Sequence, residues 1–193
     1  IRVLNRAPSL ANLSVWNESA ELTTLDGTYD VLEDEMLILT GEADDSLNDL
    51  NSLIFNWWLD ANVDENLTQT TNGWESSITT SFQSSGLHSV MVEVWDDDGE
   101  KSETLELEFM VENVAPSMKP LQQILPIFED QMTWVNATGT DSPSDMETWV
   151  WCWDVLPEVN TDGNGSAADD CDIDGPDLEM SWNQSGLHEI VVW

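Results

Sequence analysis

Residues 86–99 read GLHSVMVEVWDDDG, and the alternation inside them decides the fold. Val90, Val92 and Val94 fall on one side of an extended chain, Met91, Glu93 and Trp95 on the other, which is the period of two that a β-strand imposes. Asp96-Asp97-Asp98-Gly99 reads first as a hairpin turn, with the glycine such turns need, and second as a cation site. Near the other end of the sequence the same opening returns as GLHEIVVW, residues 186–193.

Other blocks return in the same order. VLNRAPSL (3–10) parallels VENVAPSM (111–118), EDEM (33–36) parallels EDQM (129–132), and FNWWLD (55–60) parallels WCWD (151–154). Ordered matches of this kind mark an internal repeat, and their unequal offsets place insertions between the blocks, where loops belong. Within the repeat Leu53, Phe55 and Trp57 alternate with Ile54, Asn56 and Trp58. Trp74, Ile78 and Phe82 form a further apolar stripe, echoed by Leu178, Met180 and Trp182. No long amphipathic helix is legible. The pattern predicts an all-β protein of two β-sandwiches.

An aromatic-x-Trp strand (Phe55, Trp57; Trp151, Trp153) is followed by an aromatic before a Gly-x-His step (Phe82, Gly86, His88; Trp182, Gly186, His188). With the Val-x-Val-x-Val-Trp-Asp run, these residues resemble the polycystic-kidney-disease (PKD) repeat. The resemblance implies an immunoglobulin-like sandwich and covers nearly all of 7–113 and the second copy as far as it runs. It departs at the Gly-Asp-Gly usual after the strand C tryptophan, where this sequence has LDANVDEN in one copy and DVLPEVNTDGNG in the other. The expected organisation is the end of a preceding repeat or a linker at 1–6, one PKD/Ig-like domain at 7–113, and a second at 114–193 lacking its last strand. Two readings of the missing strand stand: an excerpt from a longer tandem array, or a sandwich that accepts a strand from a neighbouring chain by strand addition, giving self-assembly. Val114-Ala115-Pro116 predicts a short, extended join, because proline restricts itself and its predecessor.

Of the 193 residues, 39 are Asp or Glu and four are basic (Arg2, Arg6, Lys101, Lys119), a net charge of −35 at pH 7. Such a surface repels nucleic acid and anionic membranes and attracts cations. The eleven tryptophans and 40% hydrophobic content supply cores and argue against disorder. No apolar run approaches the ~18 residues that a membrane span needs. Glycosylation sequons begin at Asn12, Asn17, Asn66, Asn136, Asn164 and Asn183, which favours a secreted or cell-surface glycoprotein. Cys152 and Cys171 are the only cysteines, and a disulfide between them fits an oxidising compartment; two free thiols are the alternative. Cys152 matches Asn56 on the outward face, so the bond would tie the acidic loop to the outside of the sandwich, contributing about 3 kcal/mol by loop entropy.

Asp170-Cys171-Asp172-Ile173-Asp174-Gly175 alternates carboxylates before a glycine, as at the start of a calcium loop. The closing glutamate of an EF-hand is absent, and a solvated acidic loop is the competing reading. Asp60, Asn62 and Asp64 form a weaker version in the first copy. Asp141 and Asp145 are further candidate ligands, placed by the expected strand order at the junction of the two domains. Calcium is the expected ion. His88 and His188 occupy equivalent positions after Gly-x and are expected to bond a loop rather than to catalyse. Trp149, Trp151 and Trp153 are expected to face the core, leaving Trp58 and Trp95 as the candidate outward binding surface.

These features predict a non-catalytic structural or adhesive module of a large extracellular or cell-surface protein. It would space and stiffen a tandem array, with calcium and in a filament, among neighbouring repeats, and meet a glycan or surface protein. The alternative is an accessory carbohydrate- or protein-binding domain of a secreted hydrolase, which an exposed planar set around Trp58 and Trp95 would favour. No phosphate loop, nucleophile motif or paired-histidine set points to catalysis.

Overall fold

The alternating segments become strands in both halves of the chain. A computed structural model describes residues 2, 4–60, 73–119, 121, 126–155 and 171–193. The chain divides into two units, Ile1–Val114 and Ala115–Trp193, each with its own apolar core.

Unit 1 contains β1 (Ser9–Trp16), β2 (Thr28–Leu32), β3 (Leu37–Asp44), β4 (Ile54–Leu59), β5 (Glu75–Thr80), β6 (Gly86–Trp95) and β7 (Leu105–Glu112). One sheet has the order β1-β3-β5 and the other β2-β7-β6-β4. All neighbours are antiparallel except β2, which runs parallel to β7. The chain changes sheets at every step from β1 to β6 and stays in one sheet only between β6 and β7, the connectivity of an immunoglobulin-like sandwich. Strand period decides what lies between the sheets: Leu53, Phe55, Trp57, Val90, Val92 and Val94 are wholly buried. The Trp57 indole N–H still finds an acceptor, the Ser76 hydroxyl at 3.3 Å, as a buried indole requires. Trp74, by contrast, is half-exposed. It lies one residue before β5, where the pleat no longer faces the opposite sheet, and the stripe predicted from Trp74 therefore begins at Ser76 and Ile78.

Unit 2 contains β8 (Ser117–Met118), β9 (Thr133–Asn136), β10 (Gly139–Thr140), α1 (Pro143–Met146), β11 (Cys152–Asp154), β12 (Ile173–Asp174), β13 (Asp177–Met180) and β14 (Val191–Val192). Its pairings are β10-β8, β13-β9 and β12-β11-β14. The buried core is smaller, built on Val135, Ala137, Trp153 and Leu178. Of the Trp149, Trp151 and Trp153 stripe only Trp153 is fully buried; the other two are partly exposed. The helix, a single turn unforeseen in the sequence, starts with proline at its first turn, where the missing N–H costs nothing.

Matched sequence blocks adopt matched geometry. Asp34 of EDEM and Asp130 of EDQM both take φ of 58°, a left-handed conformation that aspartate tolerates better than most residues. Their N–H groups donate to Phe82 O and Trp182 O, each at 2.8 Å. The repeat thus encodes a specific hook onto the segment before the Gly-x-His step.

Candidate functional site

The acidic side chains converge where the β3–β4 loop meets the β6–β7 turn of unit 1. The turn itself is the one its sequence predicts: Asp96 N–H donates to Glu100 O (3.0 Å), Glu100 N–H donates to Asp96 Oδ1 (2.8 Å), and Gly99 takes φ of 89°. Asn5 Nδ2 donates to Asp96 Oδ2 at 2.7 Å. From the β3–β4 loop, the Ser46 N–H donates to Asp45 Oδ1 and the Ser46 hydroxyl to Asp49 Oδ2, each at 2.7 Å. Asp49, Asp97 and Asp98 bring carboxylate oxygens within 4.8 Å of one another. Asp45 is only 4% exposed, and its Oδ2 is buried without a hydrogen-bond partner. Burial pushes the Asp45 carboxyl above its ordinary range; the Ser46 N–H opposes this, the charges of Asp49 and Asp96 add to it, and Arg6 opposes it.

Asp45 and Asp49 were missed in the sequence, although one signal pointed to them. Continuing the EDEM–EDQM alignment along β3 places Asp45 opposite Asp141 and Asp49 opposite Asp145, and those two were already candidates. In unit 2 the equivalent carboxylate is satisfied: Asp141 Oδ1 accepts from Ser142 N–H (2.9 Å) and Oδ2 from the Trp149 indole N–H (2.9 Å). The Asp145 carbonyl accepts the Thr148 hydroxyl at 2.8 Å.

The remaining candidate ligands are dispersed. Asp172 Oδ2 accepts from Val155 N–H at 3.1 Å, and Asp174 is exposed with Oδ1 3.2 Å from Cys171 Sγ. That sulfur is in a disulfide with Cys152 and has no proton to donate, so this is a contact only. Asp60, at φ of 48°, fastens the end of β4 to β6: its Oδ1 accepts from Ser89 N–H (2.8 Å) and its Oδ2 lies 2.8 Å from His88 Nδ1. Asn62, Asp64 and Asp170 lie outside the described residues, as do Asn66 and Asn164. Among the described residues, the converging group is Asp49, Asp97 and Asp98.

His88, Asp60 and Ser84 together suggest a catalytic triad, but the geometry opposes it. His88 Nε2 lies 2.8 Å from the Ser84 carbonyl and 3.5 Å from the Ser84 hydroxyl. Donating to that carbonyl leaves no lone pair to take the hydroxyl proton. His188 Nε2 makes the same bond to Gln184 O at 2.9 Å, and the two rings pack on Phe82 and Trp182 with centroids 4.8 and 5.3 Å apart. Repetition of the carbonyl bond and of the ring packing marks both histidines as structural.

Trp58 and Trp95 do not form one platform. The β4–β6 register sets Trp58 opposite Met91 and Trp95 opposite Ile54, four residues or about 13 Å apart along the ladder. Trp95 is also covered: its indole N–H donates to Glu93 Oε1 at 2.6 Å, and Lys101 Nζ, 2.8 Å from Glu93 Oε2, lies 5.5 Å over its ring. Aromatic surface appears instead in unit 2, where Trp149, Trp151 and Trp193 line an open groove of about 570 Å³ with Met118 and Asp141. The Cys152–Cys171 disulfide closes the segment across which β12 pairs with β11. Cys152 itself is buried on the side of β11 opposite the Trp153 core face. Of the described sequons, Asn12, Asn136 and Asn183 are exposed. Asn17 has both ends of its amide engaged, donating to Glu35 Oε1 (2.9 Å) and accepting from Ser19 and Ala20 N–H.

The arrangement defines the class: an all-β protein of immunoglobulin-like sandwich architecture. No family model matches the sequence, and no curated protein does. Among solved structures, the chain is similar to the PKD domain of an M14-like peptidase from a Thermoplasmatales archaeon (13% identity, 56% of this chain and 98% of that one, TM-score 0.40). It is similar to the soluble domain of PmoD from Methylocystis (14%, 52% and 89%, TM-score 0.37) and to fibronectin(III)-like modules of Clostridium thermocellum CbhA (16%, 92% and 83%, TM-score 0.33).

Proposed function

We propose that this chain is a non-catalytic structural module of a secreted or cell-surface protein, spacing and stiffening the parts around it. The observation that carries the reading is the use made of its reactive side chains. His88 and His188 are held by backbone carbonyls in the same way in both units, and Asp60 serves as a strand clasp. A disulfide and exposed sequons suit an oxidising, glycosylating compartment. No described helix is long and apolar enough to cross a membrane. The test is replacement: in the parent protein, residues 1–193 are exchanged for unrelated β-sandwich modules of equal length. Retained display and function supports a spacer, whereas loss with folding intact overturns it.

The unit 2 groove favours a second reading, an accessory module that binds a glycan. Indole faces beside a carboxylate suit sugar rings, which present apolar faces and hydroxyl edges. Titrating oligosaccharides against tryptophan fluorescence tests this: a saturable change lost in Trp151→Ala supports it, and no change across a broad glycan panel removes it.

A further inference from the structure

We propose that Asn136 of unit 2 carries an N-linked glycan whose first sugar lies over the indole of Trp134. The starting observation is a large ring left in solvent: Trp134 is 68% exposed, although it stands within a paired strand, β9. Strand period gives the ring its neighbours. Trp134, Asn136 and Thr138 are exposed while Val135 and Ala137 are buried, so the three share the outward side, successive members standing about 7 Å apart along the chain. Asn136-Ala137-Thr138 is a glycosylation sequon, and it is the one sequon of the six with an aromatic residue two positions before its asparagine. A sugar joined to Asn136 therefore starts beside the Trp134 face, where its apolar C–H side can meet the indole.

The asparagine is already aimed. Its Nδ2 donates to Asp177 Oδ1 at 2.7 Å. A glycosylated amide keeps one N–H, so that bond survives modification and fixes the direction in which the sugar leaves the strand. Asp177 pairs opposite Asn136 and Glu179 opposite Trp134, both exposed, which sets carboxylate acceptors for sugar hydroxyls beside the ring. The other described sequons lack this arrangement. Asn17 has its amide engaged at both ends, Asn183 lies beyond the end of β13, and Asn12 sits at the β1 irregularity with Leu10 two residues before it. By the EDEM–EDQM alignment, the matching residues of unit 1 are Ile38, Thr40 and Glu42, with neither the ring nor the sequon. Ring and sequon thus occur together, in one copy. Transfer forms a bond from Asn136 Nδ2 to the anomeric carbon of a lipid-diphosphate-linked oligosaccharide and breaks the bond from that carbon to the phosphate oxygen. The lipid diphosphate leaves, and one amide proton passes to a base of the transferase. The proposal rests on the secreted or cell-surface reading, because such donors are used outside the cytoplasm.

The experiment secretes the full chain from a eukaryotic host, whose donor supplies N-acetylglucosamine as the first sugar, and reads each sequon by glycopeptide mass spectrometry. Asn136 is expected to be occupied, and Thr138→Ala to remove that glycan alone. Thermal unfolding then compares the intact glycoprotein, the form trimmed enzymatically to the first sugar, and Thr138→Ala. Unit 2 of the first two is expected to unfold several degrees above the third. Trp134→Ser, at an exposed position, keeps the fold and the glycan, and in its background the same comparison is expected to show no rise. A bare Asn136 in the secreted chain overturns the proposal, as does an equal rise with and without the indole. Either failure is distinct from failure of the module's role, because the host supplies the secretory route and the module exchange tests that role.

Discussion

Asp45 and Asp141 occupy the same place in two copies of one framework and meet opposite surroundings. Asp45 directly follows β3 and Asp141 directly follows β10, and each takes the N–H of the next serine on Oδ1. The second oxygen differs: Asp141 holds an indole N–H, and Asp45 holds nothing from the protein. The cause lies in paired residues at a distance. Unit 2 has Gly139 and Trp149, unit 1 has Ala43 and Leu53, and a Cβ on Gly139 would sit 2.7 Å from the Trp149 ring. A large ring thus requires the small residue, and the ring brings the donor. The framework fixes where the carboxylate stands, while one neighbouring side chain decides whether it is neutralised from within.

The comparison breaks most severely at the cores. Trp57→Ala should cost unit 1 about 3–5 kcal/mol, enough to unfold it or nearly so, because the ring is wholly buried. Trp153→Ala should do the same to unit 2, whose core is smaller. Near-ultraviolet circular dichroism during urea unfolding should show the loss confined to the substituted unit. Loss of both units at once from either change would refute their independence.

Next in size is the disulfide, which unit 1 lacks altogether. Replacing Cys152 and Cys171 by serine should lower the stability of unit 2 by about 3 kcal/mol and leave unit 1 unchanged. Reduction of the parent protein should reproduce the effect, and the measurement is the urea midpoint of each unit with and without reductant.

Trp149→Leu converts the environment of Asp141 toward that of Asp45. It leaves the carboxylate without its donor and should destabilise unit 2 by about 1–3 kcal/mol for the orphaned group, with a cavity term in addition. Gly139→Ala alone forces Cβ into the Trp149 ring. Combined with Trp149→Leu it recreates the unit 1 pair, so the double variant should be more stable than the sum of the single changes implies. Strict additivity in thermal unfolding would break the argument that the two residues are chosen together.

The two sheets were legible because strand period is local. Val90, Val92 and Val94, and Leu53, Phe55 and Trp57, needed only their own alternation to be placed inside. Trp74 was misread because a strand's end cannot be seen in its period, and Trp149 because its side chain answers to Gly139, ten residues earlier. The hook at Asp34 and Asp130 was visible as a repeated block, but its partners, the Phe82 and Trp182 carbonyls, are tertiary. The acidic site was half-legible. Its Asp96-Asp97-Asp98 arm stands in one run, whereas Asp45 gains meaning only from burial, and burial of a carboxylate is decided by what packs over it.

The smallest effects lie in pH dependence, where two buried acids of unit 1 pull in opposite directions. Burial pushes Glu93 up, but hydrogen bonds from Lys101 and Trp95, the Lys101 charge and a bond from Thr104 outweigh it, so its carboxyl titrates below the usual glutamate range. Its contribution is therefore complete above that range and is lost as pH falls through the lowered value. Asp45, raised first by burial, behaves in reverse: protonation favours the fold, and that gain disappears as pH rises through its raised value. In chelator, lowering the pH from neutral should first steady unit 1 as Asp45 takes up a proton, then weaken it as Glu93 does. Asp45→Asn should flatten the upper part of the profile alone, and Glu93→Gln the lower part alone. The Lys101 partner is about half exposed, so salt should shrink the Glu93 limb while leaving that of Asp45 less affected. Unfolding midpoints measured across pH at two salt concentrations separate the limbs, and a salt response confined to the Asp45 limb would reverse the assignment.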